Sequence, residues 1–306
     1  MRVVSLLASA TEIVCALGAG DSLVGRSHEC DNPSWVRSLA PCSEPAFDVS
    51  VSSRAIDAEV NRRIRAGEPL YHIHSDRIRA LQPDLVIAQT HCAVCAVTPE
   101  DVQRSGCDAL TEQVLGLAAG SLSEILDTIR QIAKAIGRES QGCEVITRER
   151  QRMEAVRMRT EGERRPTVAM LEWTDPIFPM GNWGPELVEM ANGELLLGKR
   201  GQHSRAISDG LLREADPEYL IVAPCGFNLD RTLQEKAVLE AYPWWNSLSA
   251  VRAGKVAFAD GNLFFNRSGM TVSQTAEIIA EILHGVTFGA ATEGVHWCWI
   301  DQAGAL

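Results

Sequence analysis

No stretch of about 18 consecutive apolar residues occurs in this chain, so no membrane-crossing helix is expected. Positive charge is scarce: 29 Lys and Arg stand against 40 Asp and Glu, a formal net charge of −11. Phosphate backbones and anionic lipid surfaces call for a basic face, which makes nucleic acid an unsuitable partner. The opening residues, Met1 to Leu7, show no charged leader, long apolar stretch or cleavage site of the secretory kind. Also missing are the GxSxG elbow, the Walker phosphate loop, a GxGxxG turn after the first strand and the HExxH helix. No pair of carboxylates stands out as an acid/base couple, so covalent catalysis has no template here and the chain reads as a binder, not an enzyme.

What is present is a globular composition, 45% hydrophobic and 23% charged over 306 residues, long enough for two domains. Nine cysteines lie scattered at positions 15, 30, 42, 92, 95, 107, 143, 225 and 298. An odd, dispersed set in a chain this long suits a reducing compartment better than a disulfide framework. A cytoplasmic location is therefore expected, or a periplasmic one where a leader has been removed.

The pattern along the chain is strand, helix, strand. Residues 3–7 are apolar but for Ser5, as in a buried parallel strand. Ser9 and Glu12 have capping-box spacing for a following helix, with Gly18 as its stop. Residues 23–25 and 84–88 read as further strands, and residues 121–137 carry apolar side chains at helical spacing. From 140 to 165 the chain is dominated by Arg, Glu and Gln, as in a helix bridging two domains. The early pattern then returns: residues 186–198 echo 12–25 with a one-residue gap, and 212–222 echo 78–88. Alternating strands and helices imply parallel sheets. The expected fold is α/β, two Rossmann-like lobes with parallel sheets joined by one long helix and a ligand cleft between the lobes. The boundaries are 1–139 for the first lobe, 140–165 for the bridge, 166–285 for the second lobe and 286–306 for a tail.

In open parallel sheets, ligands bind beyond the carboxyl ends of the strands. That rule selects residues 26–31 and 89–95 in the first lobe, and 172–176, 224–227 and 260–267 in the second. The candidate ligand-binding residues are His28, Glu29, Gln89, Trp173, Trp183, Phe227, Asp260, Asn262, Phe265 and Arg267. Phe264 and Phe265 are consecutive, so in an extended segment only one would face the ligand. Cys92 and Cys95 have redox or metal-ligand spacing, and His28 and Cys30, or His91, could complete a site. His72 and His74 alternate in a strand-like stretch and read as structural. Any of Trp173, Trp183, Trp244 and Trp245 can equally be core packing, and the Trp297-Cys298-Trp299 tail is expected to pack on the surface of one lobe.

With these segments in place, the sequence resembles the vitamin B12 and iron-siderophore class of substrate-binding proteins that serve ABC importers. The similarity runs from about residue 2 to 285. It rests on the opening Val3-Val-Ser-Leu-Leu-Ala-Ser-Ala-Thr-Glu-Ile13, on Leu81-Gln-Pro-Asp-Leu-Val-Ile-Ala88, and on Ala250-Val-Arg-Ala-Gly-Lys-Val256. The cobalamin-binding branch is most similar, through Arg26-Ser-His-Glu-Cys-Asp-Asn-Pro33, Cys92-Ala-Val-Cys-Ala96, Asp260-Gly-Asn262 and Phe265-Asn-Arg267. The resemblance implies a cobalamin or related corrinoid held between the lobes. It also implies docking to a permease through an acidic residue of each lobe, Glu100 or Asp101 in the first and Asp230 in the second. Two alternatives remain. One is a metal- or thiol-dependent, chelatase-like tetrapyrrole handler using His28, Cys30, Cys92 and Cys95. The other is a ferric-siderophore binder using Arg26, Arg205 and Arg267.

Overall fold

The computed structural model describes residues 1–92, 94, 96–106 and 113–302. The chain divides into two compact units. Unit 1 comprises Met1–Ala119, Ser123–Thr147 and Ser268–Met270, and unit 2 comprises Gly120–Leu122, Arg148–Arg267 and Thr271–Leu306.

Unit 1 contains β1 (Val3–Ser5), α1 (Ala8–Ala16), β2 (Leu23–Arg26), β3 (Ala40–Pro41), β4 (Ser43–Pro45) and α2 (Ser53–Ala66). These are followed by β5 (Tyr71–Ile73), α3 (Ser75–Leu81), β6 (Leu85–Gln89), α4 (Pro99–Arg104), β7 (Val114–Leu117) and α5 (Leu122–Ala135). Its sheet runs β3-β2-β1-β6-β7, all parallel, with a separate antiparallel ribbon of β4 and β5. Val3, Val4, Val86 and Ile87 are fully buried at its centre. Each such side chain contributes about 1.5–3 kcal/mol by burial, which is why these apolar runs become central strands.

The expected start of α1 needs correction. Ser9 and Glu12 lie inside the helix and are buried, and the N-cap position is Leu7, with no side-chain cap. The helix begins two residues too early for Ser9 to cap it. A capping box does form at α4, where Thr98 and Asp101 bond each other's backbone N–H.

Helix α6 (Glu139–Thr160) belongs to unit 1 as far as Thr147 and to unit 2 from Arg148. Val145 and Ile146 join the unit 1 core, while Glu149 accepts from Ser273 Oγ and Arg152 pairs with Glu277 at 2.6 Å in unit 2.

Unit 2 continues with β8 (Thr167–Thr174), β9 (Ile177–Pro179), α7 (Gly184–Met190), β10 (Glu194–Leu195), α8 (Asp209–Ala215) and β11 (Tyr219–Val222). Then come α9 (Leu229–Gln234), α10 (Lys236–Glu240), α11 (Ser249–Arg252), β12 (Val256–Ala259), α12 (Val272–His284) and β13 (Trp297–Trp299). The sheet order is β10-β8-β11-β12-β13, with β9 folded back on β8. Strands β10, β8, β11 and β12 are parallel, whereas β13 is antiparallel. The tail expected on the surface is thus a strand of the sheet. Trp297 and Cys298 are buried because β13 covers the otherwise open edge of β12.

The sequence echoes are structural ones. In both units the first strand (β1 or β8) pairs on one side with the strand after the next helix (β2 or β10) and on the other with the strand after a reversal (β6 or β11). Helices α3 and α8 both end in a left-handed residue, Gln82 (φ 45°) and Asp216 (φ 38°), each followed by a proline and then a buried strand. The strand order reverses between β1 and β6 and between β8 and β11, so each unit has its own switch point for a ligand.

Candidate functional site

In unit 1, β2 delivers His28 to the carboxyl end of the sheet. Its Nδ1 lies 3.1 Å from Ser43 Oγ on β4, and its ring packs 5.4 Å from that of Tyr71 on β5. Burial, reinforced by the nearby Arg26 guanidinium, lowers the His28 pKa to about 4, so the imidazole is neutral at pH 7. A neutral imidazole fixed through one nitrogen can offer the other to a metal centre. Its Nε2 is 3.9 Å from Glu29, which is half-buried. Tyr71 donates its hydroxyl hydrogen bond to the carbonyl of Val94 at 2.6 Å, tying this rim to the loop after β6.

Gln89 closes β6 and is buried. Its side-chain amide donates to the carbonyls of Cys92 and Ala96, so it shapes the loop from within. Cys92 is buried in that loop and accepts from the N–H of Val94. Cys30 sits in the hydrophobic core beside α1, 1% exposed, accepting from Thr11 Oγ1 and facing the carbonyl of Ser5. Burial pushes its thiol pKa up, which disfavours the thiolate that binds metal. Among the described residues, His28, Cys30 and Cys92 do not come together as a three-ligand group. Cys95 lies outside the described residues.

In unit 2 the strand ends are aromatic. Trp173, near the end of β8, packs its ring 5.1 Å from Phe227, which follows β11. Arg231, in the first turn of α9, lies over the Phe227 ring with its guanidinium carbon 4.0 Å from the ring centroid. It also pairs with the buried Glu235 at 2.6 Å. After β12, Asp260 caps a single π-helical turn (Gly261–Phe265) by accepting from the N–H groups of Asn262 and Leu263. Burial raises its pKa, while these two N–H groups pull it back down. Asn262 donates its N–H to the carbonyl of Phe227 and accepts from Arg267, itself 5% exposed. The turn is helical, not extended, so alternation does not separate Phe264 from Phe265, and both are buried. Trp183 is also buried and donates its indole N–H to the carbonyl of Phe265 at 3.2 Å. Trp244, bonded to Asp209, and the core residue Trp245 take packing roles.

The strand-end rule thus gathers Trp173, Phe227, Asp260, Asn262 and Arg267 into one rim of unit 2, with Trp183 and Phe265 bracing it from below. It gathers His28, Glu29 and Gln89 into the rim of unit 1. Tyr71, Ser43 and Arg231 were not selected from sequence. Arg231 carried a signal in its four-residue spacing from Phe227, but nothing local connects Tyr71 to His28. Unit 2 also has a cavity of about 630 Å³ bordered by Tyr219, Lys255 and Trp299. Tyr219 and Lys255 mark the amino ends of β11 and β12, the end from which strand-end ligands are absent.

On the outer helices, Glu100 and Asp230 are exposed in the first turns of α4 and α9. Asp101 is held by its capping box and by Arg104 at 2.8 Å. Among the described residues, no helix is long and apolar enough to cross a membrane.

Known proteins of the same architecture match almost the whole chain. An uncharacterized ABC transporter substrate-binding lipoprotein of Bacillus subtilis, YvrC, is 23% identical over 292 residues, covering 94% of this chain and 81% of the relative. The periplasmic vitamin B12 binding protein BtuF of Vibrio cholerae superposes with a TM-score of 0.65 at 20% identity, covering 92% of this chain and 96% of its own. A periplasmic heme binding protein from Pseudomonas aeruginosa superposes with a TM-score of 0.72 at 17% identity, covering 97% of each chain. The sequence model of the family described as periplasmic binding protein matches residues 3–263, and the chain belongs to that family.

Proposed function

We propose that this chain is the solute-binding component of an ABC importer and that its solute is a corrinoid, cobalamin or a close relative. The observation that carries the reading is the aromatic rim of unit 2. At the switch point the half-buried Trp173 stands against the buried Phe227, and the Arg267–Asn262 pair supplies polar anchors beside them. Aromatic area with a few fixed polar groups suits a large macrocycle. In unit 1 the neutral His28 offers an imidazole donor that cobalt accepts well. BtuF, named for vitamin B12, has this fold, as does the heme-binding protein, and fold alone does not choose between their ligands. The candidate ligand-binding residues are therefore His28, Glu29, Trp173, Phe227, Asp260, Asn262 and Arg267. Gln89, Trp183 and Phe265 hold these groups in place.

Membership of a periplasmic family, together with a lipoprotein relative, favours action outside the cytoplasm over the reducing compartment suggested by the thiols. The exposed Glu100 and Asp230 are the proposed contacts to permease cations. Equilibrium dialysis against aquacobalamin, haemin and a ferric hydroxamate siderophore tests the ligand class. One equivalent of aquacobalamin bound more tightly than either competitor supports the reading; preference for haemin or the siderophore overturns it.

A further inference from the structure

The β4–β5 ribbon of unit 1 carries a group that the ligand reading leaves unused. Glu44 on β4 pairs directly across from His72 on β5. The ladder continues one step further, through a hydrogen bond of 3.0 Å from the N–H of His74 to the carbonyl of Cys42. His72 and His74 are two residues apart, so they share one face of the ribbon, the face of Glu44. Their rings meet edge to face with centroids 5.0 Å apart, and His74 Nε2 lies 3.8 Å from Glu44 Oε2. One donor atom from each of the three side chains falls within 4.8 Å of the others. Glu44 and His72 are exposed and His74 is half-buried, so a hydrated ion can reach all three.

We infer that Glu44, His72 and His74 form a surface site for a divalent transition metal of the zinc and nickel class. Ligand atoms about 2.1 Å from a tetrahedral ion stand roughly 3.4 Å from one another. Drawing the present donors together therefore asks for little more than an ångström of side-chain rotation at an exposed position. Two imidazoles with one carboxylate suit zinc, nickel or copper, whereas calcium and magnesium call for shells made mainly of oxygen. Three protein ligands leave a fourth position for water or an outside donor. A bound ion would clip β4, β5 and the residue that begins α3, since His74 is the N-cap position of that helix. The site owes nothing to the corrinoid reading and stands or falls separately from it.

The test is uptake of Zn²⁺ by the full chain in a non-chelating buffer with thiols kept reduced, measured by calorimetry. Thiols elsewhere can also take zinc, so the informative quantity is the difference between the wild-type chain and the His72→Ala/His74→Ala double variant. The expected result is one more low-micromolar equivalent in the wild-type chain, with Glu44→Gln loosening that equivalent at least about tenfold. Zinc should also raise the melting temperature of the wild-type chain more than that of the double variant, because binding only the folded state stabilises it. Identical stoichiometry and affinity in all three chains, or no uptake by any, would overturn the inference. His72 is exposed and Glu44→Gln leaves the ribbon's backbone pairing untouched, so an unfolded double variant would still leave the single variant to decide.

Discussion

The two units share one topology and differ at their strand ends. Behind the sheets the correspondence is close: α3 and α8 both end on a left-handed residue followed by proline, and each leads into a buried central strand. At the carboxyl ends the likeness stops. Unit 1 places His28, Glu29, Tyr71 and a loop stapled by Gln89 there, while unit 2 places Trp173, Phe227, Asn262 and Arg267. A repeated frame has kept what folding requires and diverged where a ligand would be met. Function is therefore to be sought in the differences between the units.

The sharpest way to break this contrast is to remove a brace from unit 2. Trp183 is 6% exposed and ties α7 to the turn after β12, so Trp183→Ala should destabilise unit 2 by about 3–5 kcal/mol. Thermal or urea unfolding would show it, and Trp183→Phe, which keeps much of the apolar bulk, should lose far less. Trp173, half-buried on the rim, is expected to behave the other way. Trp173→Ala should weaken corrinoid binding at least about tenfold, or about 1.4 kcal/mol, with a much smaller change in melting temperature. If Trp183→Ala leaves stability unchanged, or Trp173→Ala leaves affinity unchanged, brace and contact have been assigned to the wrong residues.

In unit 1 the contrast can be sharpened by titration. His28 is held neutral by burial, so its ring resonances should titrate near pH 4 by NMR, not near the ordinary 6.5. Because the folded state resists taking this proton, His28 lowers stability progressively as pH falls from about 6.5 through 4. A midpoint at the ordinary value would mean that the ring is solvated and its bond to Ser43 transient. The smallest effect is expected at Glu149 on α6, whose pKa burial raises above 4.5. The folded state then favours the protonated form, so stability is lost as pH rises from the ordinary carboxylate value through the raised one. Glu149→Gln should therefore gain relative to the wild-type chain as pH increases over that window. A difference in melting temperature that is flat with pH would contradict this assignment.

Much of the frame was legible in the sequence because it depends on local signals. Apolar runs marked the central strands, and the echo of 78–88 in 212–222 marked the repeat. The strand-end rule also found most of unit 2's rim, since Phe227, Asp260 and Trp173 lie within a few residues of strand termini. What could not be read depends on contacts distant in sequence. The spacing of Cys92 and Cys95 suggested a metal site that Cys30 could complete, yet Cys30 points into the core toward Thr11, 19 residues away. Tyr71 reaches His28 only because β4 and β5 pair beside the sheet. The tail at Trp297 becomes a strand only because β12 has an edge to cover.

The most direct measurement is a titration of the purified, reduced chain with aquacobalamin, followed by tryptophan fluorescence and by the visible absorption of the corrin. Saturation at one equivalent with micromolar or tighter affinity is the predicted result, with a shift of the cobalt spectrum that disappears in His28→Ala. Fluorescence and absorption that change only in proportion to added ligand, without saturation, would contradict it.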